Sequence, residues 1–127
     1  MRQAWLPATP EGAPMARAIV RETAAELGLD NETTWALTLA TTEAFANAVE
    51  HGKPCDPRGV QLNVELEQER LHVEIADCGC FKSAQTSKPE GHGGRGIPII
   101  AAVMDDLHVA ADSGTTRVRF QKRLALA

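Results

Sequence analysis

Apolar and polar positions change rhythm several times along the chain, and each rhythm predicts an element. Residues 2–8 alternate loosely, as an edge strand would, with Trp5 turned to one side. Thr9-Pro10-Glu11 then opens a helix whose apolar residues Met15, Ile19, Val20 and Leu27 recur near helical spacing, and Gly28 stops it. Asp30 is the N-cap of a second helix that runs to about Glu50, with apolar surface from Trp35, Leu39, Phe45 and Val49, and Gly52-Lys53-Pro54 ends it. Two alternating segments, residues 60–67 and 71–76, are joined by Gln68-Glu69-Arg70 and predict a hairpin. From Asp77 to Gly96 the periodicity disappears, which marks a loop or lid of a length usually kept for function. A short helix over residues 97–104 and strands near 107–111 and 115–123 complete the chain, with no internal repeat.

Composition narrows the class. A chain of 127 residues that is 43% hydrophobic fits one domain with its own core. Its net charge of -4, with no dense cluster of Lys and Arg, argues against direct nucleic-acid binding. No apolar run approaches the roughly 18 residues of a membrane span. The N-terminus lacks a secretion pattern, so a cytoplasmic protein is expected. Cys55, Cys78 and Cys80 are odd in number and suit reduced thiols. Cys78-x-Cys80 with His92 offers only three local ligands and matches no standard zinc spacing.

Two segments carry chemistry. On the second helix, Glu43, Asn47 and His51 fall four apart and stack along one face, while Ala36 and Ala40 precede them and would leave space above. A carboxylate there can act as a general base, and an amide oxygen can join the shell of Mg²⁺ without adding charge. A solvated polar face with chance spacing is the alternative. Asp77 stands at a strand end with Gly79 after it, where a carboxylate can accept a hydrogen bond from an exocyclic amine and glycine lets a flat ring approach. Gly91-His92-Gly93-Gly94-Arg95-Gly96 precedes a helix, so backbone N–H groups and the positive helix end can face phosphate. The stretch is neither a Walker loop nor a dinucleotide fingerprint, and a plain flexible linker is its alternative reading. His51 and His92 fit capping or solvent contact as well as catalysis.

Taken in order, these pieces resemble the ATP-binding domains shared by histidine kinases, type II topoisomerases and Hsp90-type chaperones. Glu43-x-x-x-Asn47-x-x-x-His51 resembles their N-box, Asp77-Cys78-Gly79 the first glycine box, Gly94-Arg95-Gly96-Ile97 the second, and Gly114-Thr115-Thr116-Arg117-Val118 the last. In length and layout, including Met104-Asp105-Asp106 after the lid helix, the chain is most similar to the anti-sigma-factor serine kinases. The resemblance implies a Bergerat-type two-layer α/β sandwich, its sheet mixed but mostly antiparallel, with helices on one face and a flexible ATP lid. It further implies ATP held by Asn47, His51, Asp77, Gly79, Gly93, Gly94, Arg95, Gly96, Ile97, Thr115 and Thr116, with Mg²⁺ on Asn47 and Glu43 as the catalytic base. The implied partners are a STAS-type anti-anti-sigma substrate, a sigma factor and a second copy of the chain. No histidine-bearing helix precedes the domain, unlike a complete histidine kinase. Phe81 departs from the pattern by standing where the first glycine box has its second Gly, which crowds the ribose side or redirects the lid. Pro98 falls in the first turn of its helix, where it is tolerated. A sigma-binding module without phosphoryl transfer, and an ATPase driving its own conformational change, remain as alternative functions.

Overall fold

Alternation in the later strands decides the architecture: Val60, Leu62 and Val64, then Leu71, Val73 and Ile75, then Val118 and Phe120, are all buried, while most of their chain neighbours are not. Such rows demand a sheet covered on one face and wet on the other. The structure is a computed structural model that describes residues 2–51, 58–77, 96–112 and 114–124. Strands β1 (Arg2–Leu6), β2 (Val60–Glu67), β3 (Arg70–Asp77), β4 (Asp106–Asp112) and β5 (Thr115–Arg123) form one sheet in the order β1-β2-β3-β5-β4. Helices α1 (Gly12–Glu26), α2 (Asn31–His51) and α3 (Gly96–Val103) cover its apolar face.

The two-layer α/β sandwich is as expected, but the sheet is not mixed. All its pairings among the described residues are antiparallel. β3 and β4 do run in the same direction, as a strand-helix-strand crossover requires. β5 inserts between them and pairs antiparallel with both, so no parallel pair forms.

Local chemistry fixes the joints. Gly28 takes a positive φ of 70° and ends α1, with its N–H donating to the Ala25 carbonyl and that of Leu29 to the Ala24 carbonyl. Asp30 caps α2, its carboxylate accepting from the Thr33 N–H at 2.8 Å. Gln68 and Glu69 both have positive φ, 52° and 66°, the signature of a two-residue hairpin turn that matches strand twist. At the start of α1, Gly12 lies against the Phe45 ring and the Pro7 carbonyl so closely that a side-chain carbon would overlap both. Arg2, on the covered face of the edge strand, pairs with Glu22 and Glu26 and ties β1 to α1.

Helix α2 lies at the centre, in contact with α1, α3 and β3. Ala36, Ala40, Ala44 and Ala48 recur every fourth residue and are all buried, forming a ridge low enough for close helix approach. Ala36 and Ala40 are buried within the hydrophobic core. One expectation needs correcting here: Trp35 is not core but 61% exposed, and Met15 on α1 is 47% exposed. Small side chains, not these large ones, mark the inward faces. No helix among the described residues is long and apolar enough to cross a membrane.

Candidate functional site

Buried polar groups are costly, so those present single out where the chain spends stability on something else. Among the described residues they are Thr23, Thr41, Asn47, Asp77 and Thr116. Thr23 is satisfied within its own helix, its hydroxyl donating to the Ile19 carbonyl at 2.9 Å. Three of the others, Asn47, Asp77 and Thr116, are residues singled out from sequence.

Glu43 and Asn47 stand one turn apart on α2, half-buried and buried respectively. The first residue of α3 meets them there: a side-chain carbon on Gly96 would lie 3.5 Å from the Glu43 carbonyl oxygen, 3.5 Å from its Oε1 and 3.7 Å from Asn47 Oδ1. Thus the N-terminus of α3, whose first N–H groups have no partner within the helix, adjoins a carboxylate and an amide on α2. An alanine at position 96 would place its methyl group in ordinary van der Waals contact with these oxygens. Ile97, next along, is partly buried and packs against the core.

The second group lies at the sheet end. Asp77 is the last residue of β3 and pairs in register with Thr116 of β5, both on the helix-covered face. The Thr116 hydroxyl is enclosed and has no hydrogen-bond partner among the described residues. An enclosed hydroxyl left unpaired costs about 1–3 kcal/mol, a cost that an incoming polar ligand would remove. Thr115 is half-buried and, by strand alternation, projects to the opposite face of the sheet, so only its backbone shares this corner. Helix α2 packs on β3, which puts both groups in the layer between helices and sheet.

Several expected residues fall elsewhere. Gly79, Gly93, Gly94 and Arg95 lie outside the described residues, as do the proposed lid as a whole, Phe81, the three cysteines and His92. His51 is the last residue of α2, and its side chain is likewise outside them. Within the described set no group of three or more His, Cys, Asp or Glu side chains is arranged to hold a metal. A metal on the Asn47 amide oxygen would need further donors from outside that set. Trp35 was missed as a surface feature by sequence reasoning. The signal available was the alanine ridge 36-40-44-48, which defines the inward face and leaves Trp35 off it.

Comparison with known proteins bears on the family and the fold. The family described as "Histidine kinase-like ATPase domain" matches residues 6–122. The serine-protein kinase RsbW of Bacillus licheniformis is 28% identical over 125 residues, a match covering 87% of this chain and 78% of that protein. The protein of the same name from Listeria innocua is 28% identical over 127 residues, covering 89% and 81%. Among solved structures, that of the RsbU and RsbW domains of Rv1364c from Mycobacterium tuberculosis superposes with a TM-score of 0.79 at 25% identity, over 97% of this chain and 32% of that one. The blue-light activated histidine kinase EL346 of Erythrobacter litoralis shares the fold, with a TM-score of 0.63 at 23% identity over 76% of this chain and 32% of its own.

Proposed function

The chain belongs to the histidine kinase-like ATPase domain family, and from that premise we propose that it is an anti-sigma-factor serine/threonine kinase, which binds Mg²⁺-ATP, phosphorylates an anti-anti-sigma partner and sequesters a sigma factor. The observation that carries the proposal is the meeting of Glu43 and Asn47 with the open backbone of Gly96 at the start of α3. The names of the RsbW relatives support the same reaction class. By the family resemblance we assign the protein to the cytoplasm, as a homodimer acting on a STAS-type partner.

In this reading the Thr116 hydroxyl and the Asp77 carboxylate recognise the adenine edge, with Gly79 and the Thr115 backbone beside them. His51 and Ile97 flank the nucleotide. Gly93, Gly94, Arg95 and Gly96 offer N–H groups and positive charge to the phosphates, assisted by the α3 dipole. Asn47 lends its amide oxygen to Mg²⁺, which when bound offsets phosphate charge. Glu43 accepts the proton of the partner's serine or threonine hydroxyl as that oxygen bonds the γ-phosphorus and the bond to the β-γ bridging oxygen breaks, releasing ADP. Phosphoryl transfer depends mainly on such positioning and charge neutralisation, so this short inventory suffices.

Incubation with γ-labelled ATP and the anti-anti-sigma partner tests the proposal. Label passes to the partner with the parent protein and is lost with Glu43→Ala, whose nucleotide affinity stays close to that of the parent. Equal labelling by both proteins would reject Glu43 as the base. Phe81, in place of the expected glycine, favours the second reading of a sigma-binding module without transfer. In that case the partner is never labelled, although the sigma factor is bound.

A further inference from the structure

Trp35 is the most exposed of the large apolar side chains among the described residues, at 61%. It lies on α2, and Trp35, Leu39 and Glu43 follow at intervals of four, so each adjoins the next on the helix surface. Eight residues of helix separate the indole from the carboxylate by about 12 Å along the axis. Among the described residues, the alanine ridge of the same helix is buried in the core and the start of α3 lies on the adjacent flank of Glu43. The stripe runs from half-buried Glu43 through half-buried Leu39 to exposed Trp35, and Ala46, one turn beyond Glu43, is also exposed.

Charge on this helix has one sign. Asn31–His51 contains Glu32, Glu43 and Glu50 and no Lys or Arg. An exposed indole with Glu32 one turn away, on a helix of uniformly acidic charge, is complementary to a surface that combines an apolar pocket with guanidinium or ammonium groups, since cations gain from both the ring face and the acid.

We propose that Trp35, with Leu39 and Glu32, is the docking ridge for the protein acceptor, and that the acceptor's surface beside its reactive hydroxyl is apolar and basic. The inference rests on the kinase reading for the identity of the acceptor. Trp35 acts as a positioning residue: it delivers the hydroxyl to Glu43 and touches neither nucleotide nor the transferred group. Its removal therefore weakens acceptor binding without altering ATP affinity.

The test uses the purified anti-anti-sigma proteins encoded in the same genome as acceptors, with γ-labelled ATP. Trp35→Ala raises KM for the acceptor by roughly tenfold or more, the scale of a hot-spot aromatic, and leaves kcat and Mg²⁺-ATP affinity unchanged. Glu32→Lys raises the same KM and weakens its dependence on salt. In a Trp5→Phe background Trp35 is the sole tryptophan, and its emission shifts to the blue when acceptor is added. Labelling with unchanged KM in Trp35→Ala and unmoved emission would overturn the docking ridge while the kinase reading stands. An emission shift with no labelling would uphold the ridge and overturn the kinase reading. Neither shift nor labelling with any of these acceptors would overturn both.

Discussion

Thr41 and Thr116 are chemically alike and equally enclosed, each with a hydroxyl that finds no partner among the described residues. Their settings separate them: Thr41 is mid-helix on α2, while Thr116 faces the corner beside Asp77. Replacing either hydroxyl by a methyl group removes an unmet desolvation cost. Thr41→Val should thus raise the unfolding free energy by about 1 kcal/mol with ATP affinity unchanged, as read by urea denaturation and nucleotide titration. Thr116→Val should be at least as stable as the parent but bind ATP a few-fold to about tenfold more weakly, the worth of one hydrogen bond. Equal ATP affinity in the two variants would remove Thr116 from the site. At this scale the sequence was informative where a polar residue interrupts an apolar rhythm, as Asn47 and Asp77 do. Thr41 was not legible, because one more threonine in a helix rich in them carries no distinguishing pattern.

Helices and turns were read with their type correct and their environment incomplete. The start of α2 followed from Asp30, since a cap is a local interaction between a carboxylate and the next turn. The Thr33 hydroxyl, together with its N–H, holds the Asp30 carboxyl below its ordinary range. The cap therefore contributes stability at neutral pH, and this contribution disappears as pH falls from the ordinary aspartate range through the lower folded value. Asp30→Ala should melt below the parent at pH 7, and the gap should close on acidification; a gap independent of pH would contradict the capping role. The β2-β3 turn was legible as a connection but not as a strained one, because Gln68-Glu69 lacks the glycine that two positive φ values favour. Glu69→Gly should stabilise the protein by about 1 kcal/mol in thermal or denaturant unfolding. The inward face of α2 was misread because size was weighed above spacing: alanines at every fourth position pack inward, and Trp35 stays outside.

For the whole molecule, sheet order was the least legible property. Pairing of β3 with β5 joins residues as far apart in sequence as Arg70 and Arg123, and no local pattern announces that β5 enters between β3 and β4. That insertion brings Thr116 into register with Asp77 and forms the buried polar corner of the proposed site. The other half of the proposed site depends on α3 returning to α2, so that the Cβ position of Gly96 faces Glu43 and Asn47. One-face coverage of the sheet, by contrast, was implied by alternation alone. The measurement that tests the account most directly is calorimetric titration of the protein with ATP, with and without Mg²⁺, beside Asn47→Ala. The parent should bind one ATP, more tightly with the metal present, and the variant should lose that metal-dependent gain. No binding by the folded parent, or an identical response to Mg²⁺ in both proteins, would contradict it.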